Sequence, residues 1–371
     1  MLKACARWGW TAAMAASLLA GCGGDSPVAP PIGTPTVVDL AADWTVATPE
    51  SQGMDATRVA DAIVHAGTIA NLRSLLVVRH GRLVVERYFG GFFADSLAHG
   101  RSVTKSVMST LVGIAIARGE IAGVSSTLGA MLPATVATLD PAEAGITVRD
   151  LLTMSSGFEW AESGATGYND WIVSGDHVQY LLDKPLAFAP GSRFTYNSAG
   201  SHLVSVLLTE AVGTGTDEYA DGHLFTPLGI PRARWQTLSG GYVNGGAGLE
   251  LRPRDMAKIG QLFLQRGASG TGQVVPGAWV EEATTTRFRL SSVGFPVRDL
   301  GYGYFWWTEN APPDRAYFAW GYGGQFIYVV PSKELVVVAT SHWQGLGTTV
   351  AAQETGILGL IVNHIVPAAN P

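Results

Sequence analysis

Four short segments rich in β-branched and aromatic residues occur as two pairs near opposite ends of the chain, at residues 75–78, 83–88, 326–330 and 335–339. The dipeptide His80-Gly81 separates the first pair, and a Pro-Ser-Lys-Glu tetrapeptide separates the second. Segments of this composition on either side of a short turn predict β-hairpins. A single sheet that contains both hairpins must therefore accept a long insertion between them.

The region between the hairpins carries helical patterns. Loops rich in Gly and Pro separate helical candidates at residues 103–118, 148–154, 201–212 and 253–266. Two more helices are predicted beside the hairpins, near residues 56–67 and 351–365. The sequence thus predicts an α+β fold, in which one antiparallel sheet joins the hairpins, helices flank the sheet, and a mostly helical lobe is inserted.

The predicted domain spans residues 44–367 and divides into two lobes. The α/β lobe would contain about residues 44–98 and 245–367, and the helical lobe about residues 99–244. Because ligands usually bind in a cleft where lobes meet, functional residues are expected near these boundaries.

The first 22 residues have the pattern of a bacterial export signal. Basic residues precede an apolar stretch at residues 12–20, which is too short to span a bilayer. A Leu-Ala-Gly sequence then leads directly to Cys22, which resembles the lipobox of lipoproteins, in which the cysteine is lipidated. We expect residues 1–22 to be a lipoprotein signal peptide and Cys22 to anchor the mature chain to a membrane. Ordinary secretory cleavage, with Cys22 incidental, is the alternative.

Residues 23–43 are rich in Pro and Gly and have no periodic pattern, which predicts a flexible tether. Gly23 follows Cys22 where an Asp would resemble an inner-membrane retention signal. This favours the outer membrane of a Gram-negative host. The domain would then face the periplasm or the exterior.

Composition excludes several classes of protein. Apolar residues make up 47% of the chain and charged residues only 15%, which is the reverse of a disordered protein. The formal charge of −6 argues against a nucleic-acid partner, because phosphate binding needs a basic surface. Of the 2 cysteines, Cys5 would leave with the signal peptide and Cys22 would be acylated. Neither is then available as a nucleophile or metal ligand.

Common enzyme motifs are missing from the sequence. It has no His-Glu-x-x-His, no phosphate-binding Gly-Lys-Ser/Thr, no Gly-x-Gly-x-x-Gly and no Gly-x-Ser-x-Gly. The 8 histidines are scattered singly, with no spacing that suggests a shared metal ion. No metal site and no cofactor are therefore predicted.

The clearest catalytic candidate is Ser102-Val103-Thr104-Lys105, at the start of the strongest predicted helix. Residues three apart lie on one helix face, so the Lys105 amine can reach the Ser102 hydroxyl. A serine becomes a good nucleophile when a nearby base takes its proton, and burial can lower the pKa of a lysine enough for this role. By itself, the motif is equally compatible with a capped helix that carries a surface lysine.

Two further segments offer complementary groups. Tyr196 lies in a loop before another helix, and a phenol near an ammonium group can titrate low enough to transfer protons. A Trp-Gly-Tyr-Gly-Gly-Gln segment at residues 320–325 enters a predicted strand, where a backbone N–H could bind an oxyanion. An ordinary loop tyrosine and a Gly-rich turn are the alternatives when each segment is considered alone.

In this order, the three segments resemble the serine β-lactamase and penicillin-binding superfamily. The similar branch contains class C β-lactamases, D,D-carboxypeptidases, family VIII esterases and 6-aminohexanoate-dimer hydrolases. The resemblance covers roughly residues 46–366 and extends to segments at residues 49–55, 146–157, 246–249 and 253–255. It implies a β-lactamase/transpeptidase-like fold.

The resemblance also implies a role for each candidate residue. Ser102 would be the acylated nucleophile, Lys105 its general base and Tyr196 the proton relay. The oxyanion hole would combine the N–H of Ser102 with one from the region of Gly324 and Gln325.

Two departures from the family pattern bear on the substrate. Ser198 stands where β-lactamases commonly have the Asn of Tyr-x-Asn, and Tyr322-Gly323-Gly324 stands in place of Lys-Thr-Gly or His-x-Gly. Because β-lactams present a carboxylate that a cation at the latter position would bind, efficient β-lactamase activity is not expected. The pattern is more similar to the hydrolases that cleave esters and linear amides.

In that branch, a tyrosine and a tryptophan between the first two motifs help to hold the substrate. Tyr168 and Trp171 occupy a comparable place. Together with Ser198, Tyr322, Gly323, Gly324 and Gln325, they complete the predicted oxyanion and substrate-binding set.

The sequence therefore predicts an extracytoplasmic, lipid-anchored serine hydrolase that cleaves a small-molecule ester or amide. A D,D-carboxypeptidase or weak β-lactamase is the alternative within the superfamily. An alternative of another class is a lipoprotein that binds peptidoglycan or a protein partner and catalyses nothing.

Overall fold

The computed structural model describes residues 35–163, 167–231, 233–270 and 272–369. The predicted signal peptide, Cys22 and the first part of the predicted tether lie outside the described residues. The account that follows concerns only the described part of the chain.

Hydrogen bonding between the two predicted hairpins forms the centre of the main sheet. The described strands are β1 (Leu72–Arg79), β2 (Arg82–Tyr88), β3 (Ala98–His99), β4 (Arg234–Trp235), β5 (Leu249–Leu251), β6 (Ala268–Ser269), β7 (Gly272–Gln273), β8 (Phe288–Arg289), β9 (Leu300–Tyr302), β10 (Trp307–Glu309), β11 (Ala316–Gly321), β12 (Gln325–Val330) and β13 (Leu335–Ser341). The main sheet has the order β2-β1-β13-β12-β11-β10-β9-β8. Strands β1 and β13 pair antiparallel, with Leu75 opposite Ala339. Both hairpins and their union in one antiparallel sheet are confirmed.

Helices cover both faces of the sheet and fill the insertion. They are α1 (Ala56–Thr68), α2 (Val103–Ala117), α3 (Leu128–Met131), α4 (Pro141–Ala144), α5 (Val148–Leu152), α6 (Tyr168–Trp171), α7 (His177–Leu182), α8 (Ser198–Val212), α9 (Thr216–Ala220), α10 (Pro253–Leu264), α11 (Gly277–Ala283), α12 (Val350–Leu360) and α13 (Val366–Ala368). The predicted α+β architecture is confirmed.

Alternation along the central strands produces two cores. Leu76 and Val78 of β1 face the core that contains α10 and the helical insertion. Leu75 and Val77 face the core that contains α1 and α12. Helix α10 lies very close to the sheet, because a Cβ on Gly260 would be only 2.5 Å from a methyl group of Val336. Only glycine allows this distance.

One helix begins earlier than its hydrophobic pattern predicts. The predicted helix at residues 201–212 starts at Ser198, because Asn197 caps it and accepts a hydrogen bond from the N–H of Gly200 at 2.9 Å. Asn197 is 2% exposed. The cap brings Tyr196 and Ser198 to the very start of α8.

A small three-stranded sheet, of order β3-β5-β4, connects the helical insertion to the rest of the domain. Strand β3 directly precedes α2, and β5 follows the loop that contains Gly246. The N–H of Gly100 donates to the carbonyl oxygen of Leu249 at 2.8 Å. The start of α2 therefore lies beside the Gly246 loop.

The end of the predicted tether packs on the domain. The N–H of Val38 donates to the Gln265 side chain at 3.2 Å, and the N–H of Leu40 donates to the Ser269 hydroxyl at 2.9 Å. Leu40 is buried. The prediction of a flexible tether as far as residue 43 is thus wrong for these residues, because an apolar side chain and backbone hydrogen bonds hold them. Within the described ranges, no helix is long and apolar enough to cross a membrane.

Candidate active site

The segments that carry the candidate residues meet where α2, α8 and the turn after β11 come together. Ser102 is the residue immediately before α2, and Lys105 lies one turn further on. The Lys105 Nζ is 2.9 Å from the Ser102 Oγ. Lys105 is 1% exposed. The predicted contact between these two side chains is therefore present in the structure.

The surroundings of Lys105 favour its neutral form. Burial lowers the pKa of Lys105 to about 7, and the positive charge of Arg101 acts in the same direction. The negative charge of Glu162 opposes both effects. A substantial fraction of the amine is then unprotonated near neutral pH and able to accept a proton.

Two further acceptors hold the Lys105 amine. Its Nζ donates to the Ser198 hydroxyl at 3.0 Å and to the carbonyl oxygen of Gly246 at 2.6 Å. Ser198 begins α8, and Gly246 lies in the loop before β5. The amine is thus fixed by three segments that are distant in sequence.

Glu162 supports this arrangement from a loop and was not predicted from the sequence. Its carboxylate accepts hydrogen bonds from the Ser198 hydroxyl, from the Ser198 N–H at 3.0 Å and from the Trp160 indole at 2.7 Å. No motif or helical spacing links Glu162 to the site, because the contact arises from tertiary folding.

These contacts determine the direction of the hydrogen bonds. A carboxylate only accepts hydrogen bonds. The Ser198 hydroxyl therefore donates its hydrogen bond to Glu162 and accepts one from Lys105. The Gly246 carbonyl also only accepts. A neutral amine has two N–H groups, and these two acceptors use both. Its lone pair is left to face the Ser102 hydroxyl.

Tyr196 lies against the same amine but is not set up to ionise. The Lys105 Nζ is 4.9 Å from the centre of its ring, which also stacks on Trp307. Burial raises the pKa of Tyr196, and the negative charge of Glu162 raises it further. A hydrogen bond with Ser102 opposes this shift. The expectation that this phenol titrates low is therefore wrong, because burial outweighs the stabilisation by a neighbouring cation.

Several polar groups of the Gly-rich turn after β11 form hydrogen bonds within the protein. The N–H of Gly323 donates to Glu354 at 2.7 Å, and the N–H of Gly324 donates to the Gly321 carbonyl at 3.0 Å. The Gln325 side chain is fully buried and hydrogen-bonded to Ser341. Gly323, Gly324 and Gln325 therefore shape the turn. The Gly324 N–H is used within the turn, so it does not supply the oxyanion donor expected from the region of Gly324 and Gln325, and the Gln325 side chain is buried.

The Tyr322 N–H of the same turn is a second candidate for an oxyanion donor. A Cβ on Gly321 would lie 2.2 Å from the Gly100 carbonyl oxygen, so the end of β11 packs directly against the segment before Ser102. Among the hydrogen bonds of the described residues, none uses the N–H of Ser102 or of Tyr322. These two donors are available to an oxyanion.

The structure separates the two aromatic candidates of α6. Tyr168 is half-buried, and its ring centre is 5.6 Å from the guanidinium carbon of Arg101, beside Ser102. Trp171 is fully buried; its indole donates to the His177 carbonyl at 3.0 Å. Tyr168 thus borders the site. The prediction of Trp171 as a substrate contact is wrong, because α6 directs it into the core.

Histidines near the site contribute to packing. Burial and the charge of Arg101 lower the pKa of His99 to about 4, and its Nδ1 accepts the Arg101 N–H at 3.1 Å. Burial lowers the pKa of His202 to about 3. In the part of the chain that the structure describes, no three His, Cys, Asp or Glu side chains are placed to share a metal ion.

A family model described as Beta-lactamase matches residues 59–359. The chain belongs to the beta-lactamase family. The predicted superfamily and its β-lactamase/transpeptidase-like fold are thereby confirmed. This family member is a hydrolase of the serine hydrolase superfamily that contains esterases, amidases and β-lactamases.

Named relatives of this family member are hydrolases. The 6-aminohexanoate-dimer hydrolase of Paenarthrobacter ureafaciens is 25% identical over 302 residues, which cover 74% of this chain and 75% of that protein. Esterase EstB of Burkholderia gladioli is 30% identical over 176 residues, which cover 42% of this chain and 44% of that protein.

A solved structure has the same fold. A Bacillus anthracis protein, named as a candidate 6-aminohexanoate-dimer hydrolase, superposes with a TM-score of 0.71 at 18% identity. The match covers 90% of this chain and 89% of that chain.

Proposed function

We propose that this protein cleaves an ester or amide bond through an acyl-enzyme on Ser102. The observation that supports this most strongly is the 2.9 Å contact between Ser102 Oγ and a buried amine whose pKa is lowered to about 7. Both N–H groups of the neutral amine have fixed acceptors in Ser198 and Gly246. The lone pair is therefore oriented for general-base catalysis.

Acylation begins with proton transfer from Ser102 to Lys105. The Ser102 oxygen attacks the substrate carbonyl carbon, and the carbonyl oxygen becomes an oxyanion. The N–H groups of Ser102 and Tyr322 donate to this oxygen. Donors held by packed backbone need no rearrangement as the charge develops.

Tyr196 then serves as a neutral proton relay. Its hydroxyl passes a proton to the departing alkoxide or amine and regains one from the Lys105 ammonium. The raised pKa of Tyr196, caused mainly by burial, suits a group that donates a proton and does not remain ionised. The bond from the acyl carbon to the leaving group breaks, and the acyl group stays on Ser102.

Deacylation repeats the sequence with water as nucleophile. Lys105, which has returned to its neutral form, takes a proton from water directly or through the Tyr196 hydroxyl. The tetrahedral intermediate uses the same two N–H donors. The bond to Ser102 Oγ breaks, and Lys105 returns the proton to that oxygen.

An ester or a small linear amide is the proposed substrate. The turn at Tyr322 carries no lysine or histidine where a β-lactamase would bind a carboxylate. Relatives named as an esterase and a 6-aminohexanoate-dimer hydrolase also favour this class. D,D-carboxypeptidase or weak β-lactamase activity is the alternative.

The proposed location is the periplasmic or external face of a bacterial membrane, with an acyl anchor on Cys22. The apolar stretch that leads to Cys22 supports this. Metabolic labelling with a palmitate analogue should mark the full chain and not the Cys22→Ala variant. Equal labelling of both would contradict the anchor.

The catalytic proposal is tested with a fluorophosphonate probe and a panel of substrates. The panel is a 4-nitrophenyl ester, a small linear amide, a D-Ala-D-Ala peptide and a chromogenic cephalosporin. We expect labelling and ester or amide turnover, both abolished in Ser102→Ala and retained in the matched loop variant Ser192→Ala. Labelling and turnover that persist in Ser102→Ala would exclude Ser102 as the nucleophile. A protein that neither labels nor turns over any substrate would support the binding-lipoprotein alternative.

A further inference from the structure

Arg101, the residue before the nucleophile, has an unusual backbone conformation. Its φ is 50°, in the left-handed region that residues other than glycine rarely adopt. Its N–H is fixed by the hydrogen bond to His99 Nδ1 at 3.1 Å. Strained backbone of this kind persists where the surrounding structure holds it, often at functional sites. Here it occurs at the residue directly before Ser102.

Three aromatic rings surround the Arg101 guanidinium. Its central carbon is 4.2 Å from the ring centre of Trp343, 5.6 Å from that of Tyr168 and 5.7 Å from that of Tyr322. The rings come from α6, from the turn after β11 and from the segment after β13. Ring faces attract a cation and exclude water, but they do not neutralise its charge.

No carboxylate in the described ranges forms a salt bridge with this cation. Among the salt bridges of the described residues, none includes Arg101. Its Nε is buried and has no hydrogen-bond partner. Hydrogen bonding with the neutral Tyr168 hydroxyl leaves the charge in place. A buried donor without a partner is costly, and a ligand that supplies an acceptor relieves the cost.

The cation is also close to the reacting groups. Arg101 adjoins Ser102 in the chain, and the end of β11 packs against its Cβ. Tyr322, which contributes one face of the aromatic cage, also supplies an N–H to the proposed oxyanion hole. Tyr322 is 40% exposed, so the cage borders solvent on this side.

We infer that Arg101 binds a substrate carboxylate, so that the preferred substrate is a linear ester or amide with a carboxylate near the scissile bond. Guanidinium and carboxylate form paired, charge-assisted hydrogen bonds, and the Arg101 Nε–H, which has no partner, can supply one of them. This inference rests on the proposed hydrolase function. It assigns the anion-binding role to the residue before the nucleophile, in place of the cation absent from the turn at Tyr322.

Matched substrate pairs test this inference on the full chain. Mono-4-nitrophenyl adipate and 4-nitrophenyl hexanoate differ at the end of the acyl chain. The butyrate esters of 4-hydroxybenzoate and 4-hydroxybenzamide differ in the leaving group. The pair in which the anionic substrate is preferred shows whether Arg101 binds a carboxylate on the acyl side or on the leaving-group side of the scissile bond.

The expected readout is the ratio of kcat/KM for the anionic substrate to that for its neutral partner. In at least one pair, Arg101→Gln should lower this ratio by roughly ten- to hundredfold, the loss expected for hydrogen bonds to a charged group. Arg101→Lys should lower this ratio less, because lysine keeps the positive charge but lacks the planar guanidinium that forms two parallel hydrogen bonds. The matched control Arg118→Gln, at the exposed end of α2, should leave the ratio unchanged.

Two results would overturn the inference. One is a ratio in both pairs that Arg101→Gln does not change, which would make Arg101 a packing element between the three rings. The other concerns binding without turnover, measured as stabilisation of Ser102→Ala against thermal unfolding. We expect hexanoate to stabilise this variant and hexanamide not to. Adding Arg101→Gln should remove the stabilisation by hexanoate. Equal effects of hexanoate and hexanamide would contradict carboxylate binding even for a protein without catalysis. Fluorophosphonate labelling that fails in the wild type would overturn the proposed function separately.

Discussion

The carbonyl oxygen of Gly246 accepts a hydrogen bond from the Lys105 amine at 2.6 Å. Ser198 holds the same amine from the start of α8 at 3.0 Å. Because both groups act as acceptors, they set the rotation of the amine and direct its lone pair to Ser102. The base is therefore oriented by a backbone carbonyl and a helix start, neither of which belongs to the Ser-x-x-Lys motif.

Substitution of Gly246 should disturb this arrangement directly. A Cβ on Gly246 would lie 2.5 Å from the Ser198 carbonyl oxygen, so one of the two segments must move. Displacement of a positioned catalytic group by about 1 Å can cost roughly a hundredfold in rate. We expect Gly246→Ala to lower kcat/KM for a 4-nitrophenyl ester by about this factor and to slow fluorophosphonate labelling in parallel.

Gly67 provides the matched control. It lies in α1, and a Cβ there would meet no atom within 4 Å. Gly67→Ala should keep wild-type kinetics and gain up to about 1 kcal/mol of stability from reduced freedom of the unfolded chain. Wild-type kinetics in Gly246→Ala would contradict the proposed positioning of the Lys105 amine.

The activity should depend on pH through Lys105. Burial lowers the pKa of Lys105 to about 7, and the neutral amine is the active form. We expect kcat/KM to rise with an apparent pKa near 7 and then to level off. Because burial raises the pKa of Tyr196, ionisation of that phenol should not end the plateau in the accessible range.

The rate of fluorophosphonate labelling between pH 5 and 9.5, in steps of about half a unit, measures this dependence through the free enzyme. Lys105→Arg should label roughly a thousandfold more slowly, because a guanidinium stays protonated. A profile that falls with pH above 7 would exclude neutral Lys105 as the base.

Glu162 should act on the same profile from outside the Ser-Lys pair. Its negative charge raises the pKa of Lys105. In Glu162→Gln, the rise of the labelling rate with pH should therefore occur at lower pH. An amide can also donate, which removes the fixed direction of the Ser198 hydroxyl, and we expect kcat/KM to fall by about tenfold. The exposed Glu159→Gln on the same segment serves as the control. An unchanged position of this rise in Glu162→Gln would show that Glu162 only packs against Ser198.

The parts of the site that were predicted from the sequence are those encoded by local periodicity. Helical spacing brings Ser102 and Lys105 together, and alternating apolar residues define the strands that border the cleft. These relationships depend on neighbours within one element. They do not depend on how distant parts of the chain pack.

The parts that were not predicted depend on how loops pack. Glu162 and the Gly246 carbonyl reach Lys105 only in the folded chain. Trp171 was expected to contact substrate, but its side chain lies in the interior. An oxyanion donor was expected from the region of Gly324 and Gln325, but the Gly324 N–H bonds to the Gly321 carbonyl. A motif specifies which residues occur, whereas the direction of a loop side chain follows from contacts that lie far away in sequence.

Glu354 holds the Gly-rich turn after β11 and should make the free energy of unfolding depend on pH. Its carboxyl accepts the Gly323 N–H at 2.7 Å, and burial raises the pKa of Glu354 from 4.5 to about 7. The folded protein therefore binds more protons than the unfolded chain between these two values. The stabilising contribution of this group is complete below pH 4.5 and is lost as pH rises through about 7.

Glu354→Gln should remove this dependence, because the amide cannot titrate and still offers an acceptor to Gly323. The difference in free energy of unfolding between variant and wild type should be more favourable to the variant at pH 8 than at pH 4.5, by on the order of 1–3 kcal/mol. Urea unfolding at the two pH values measures it. The exposed Glu159→Gln should give nearly the same difference from wild type at both. If the Glu354→Gln difference is also independent of pH, Glu354 is ionised in the folded protein and the turn is held by a carboxylate.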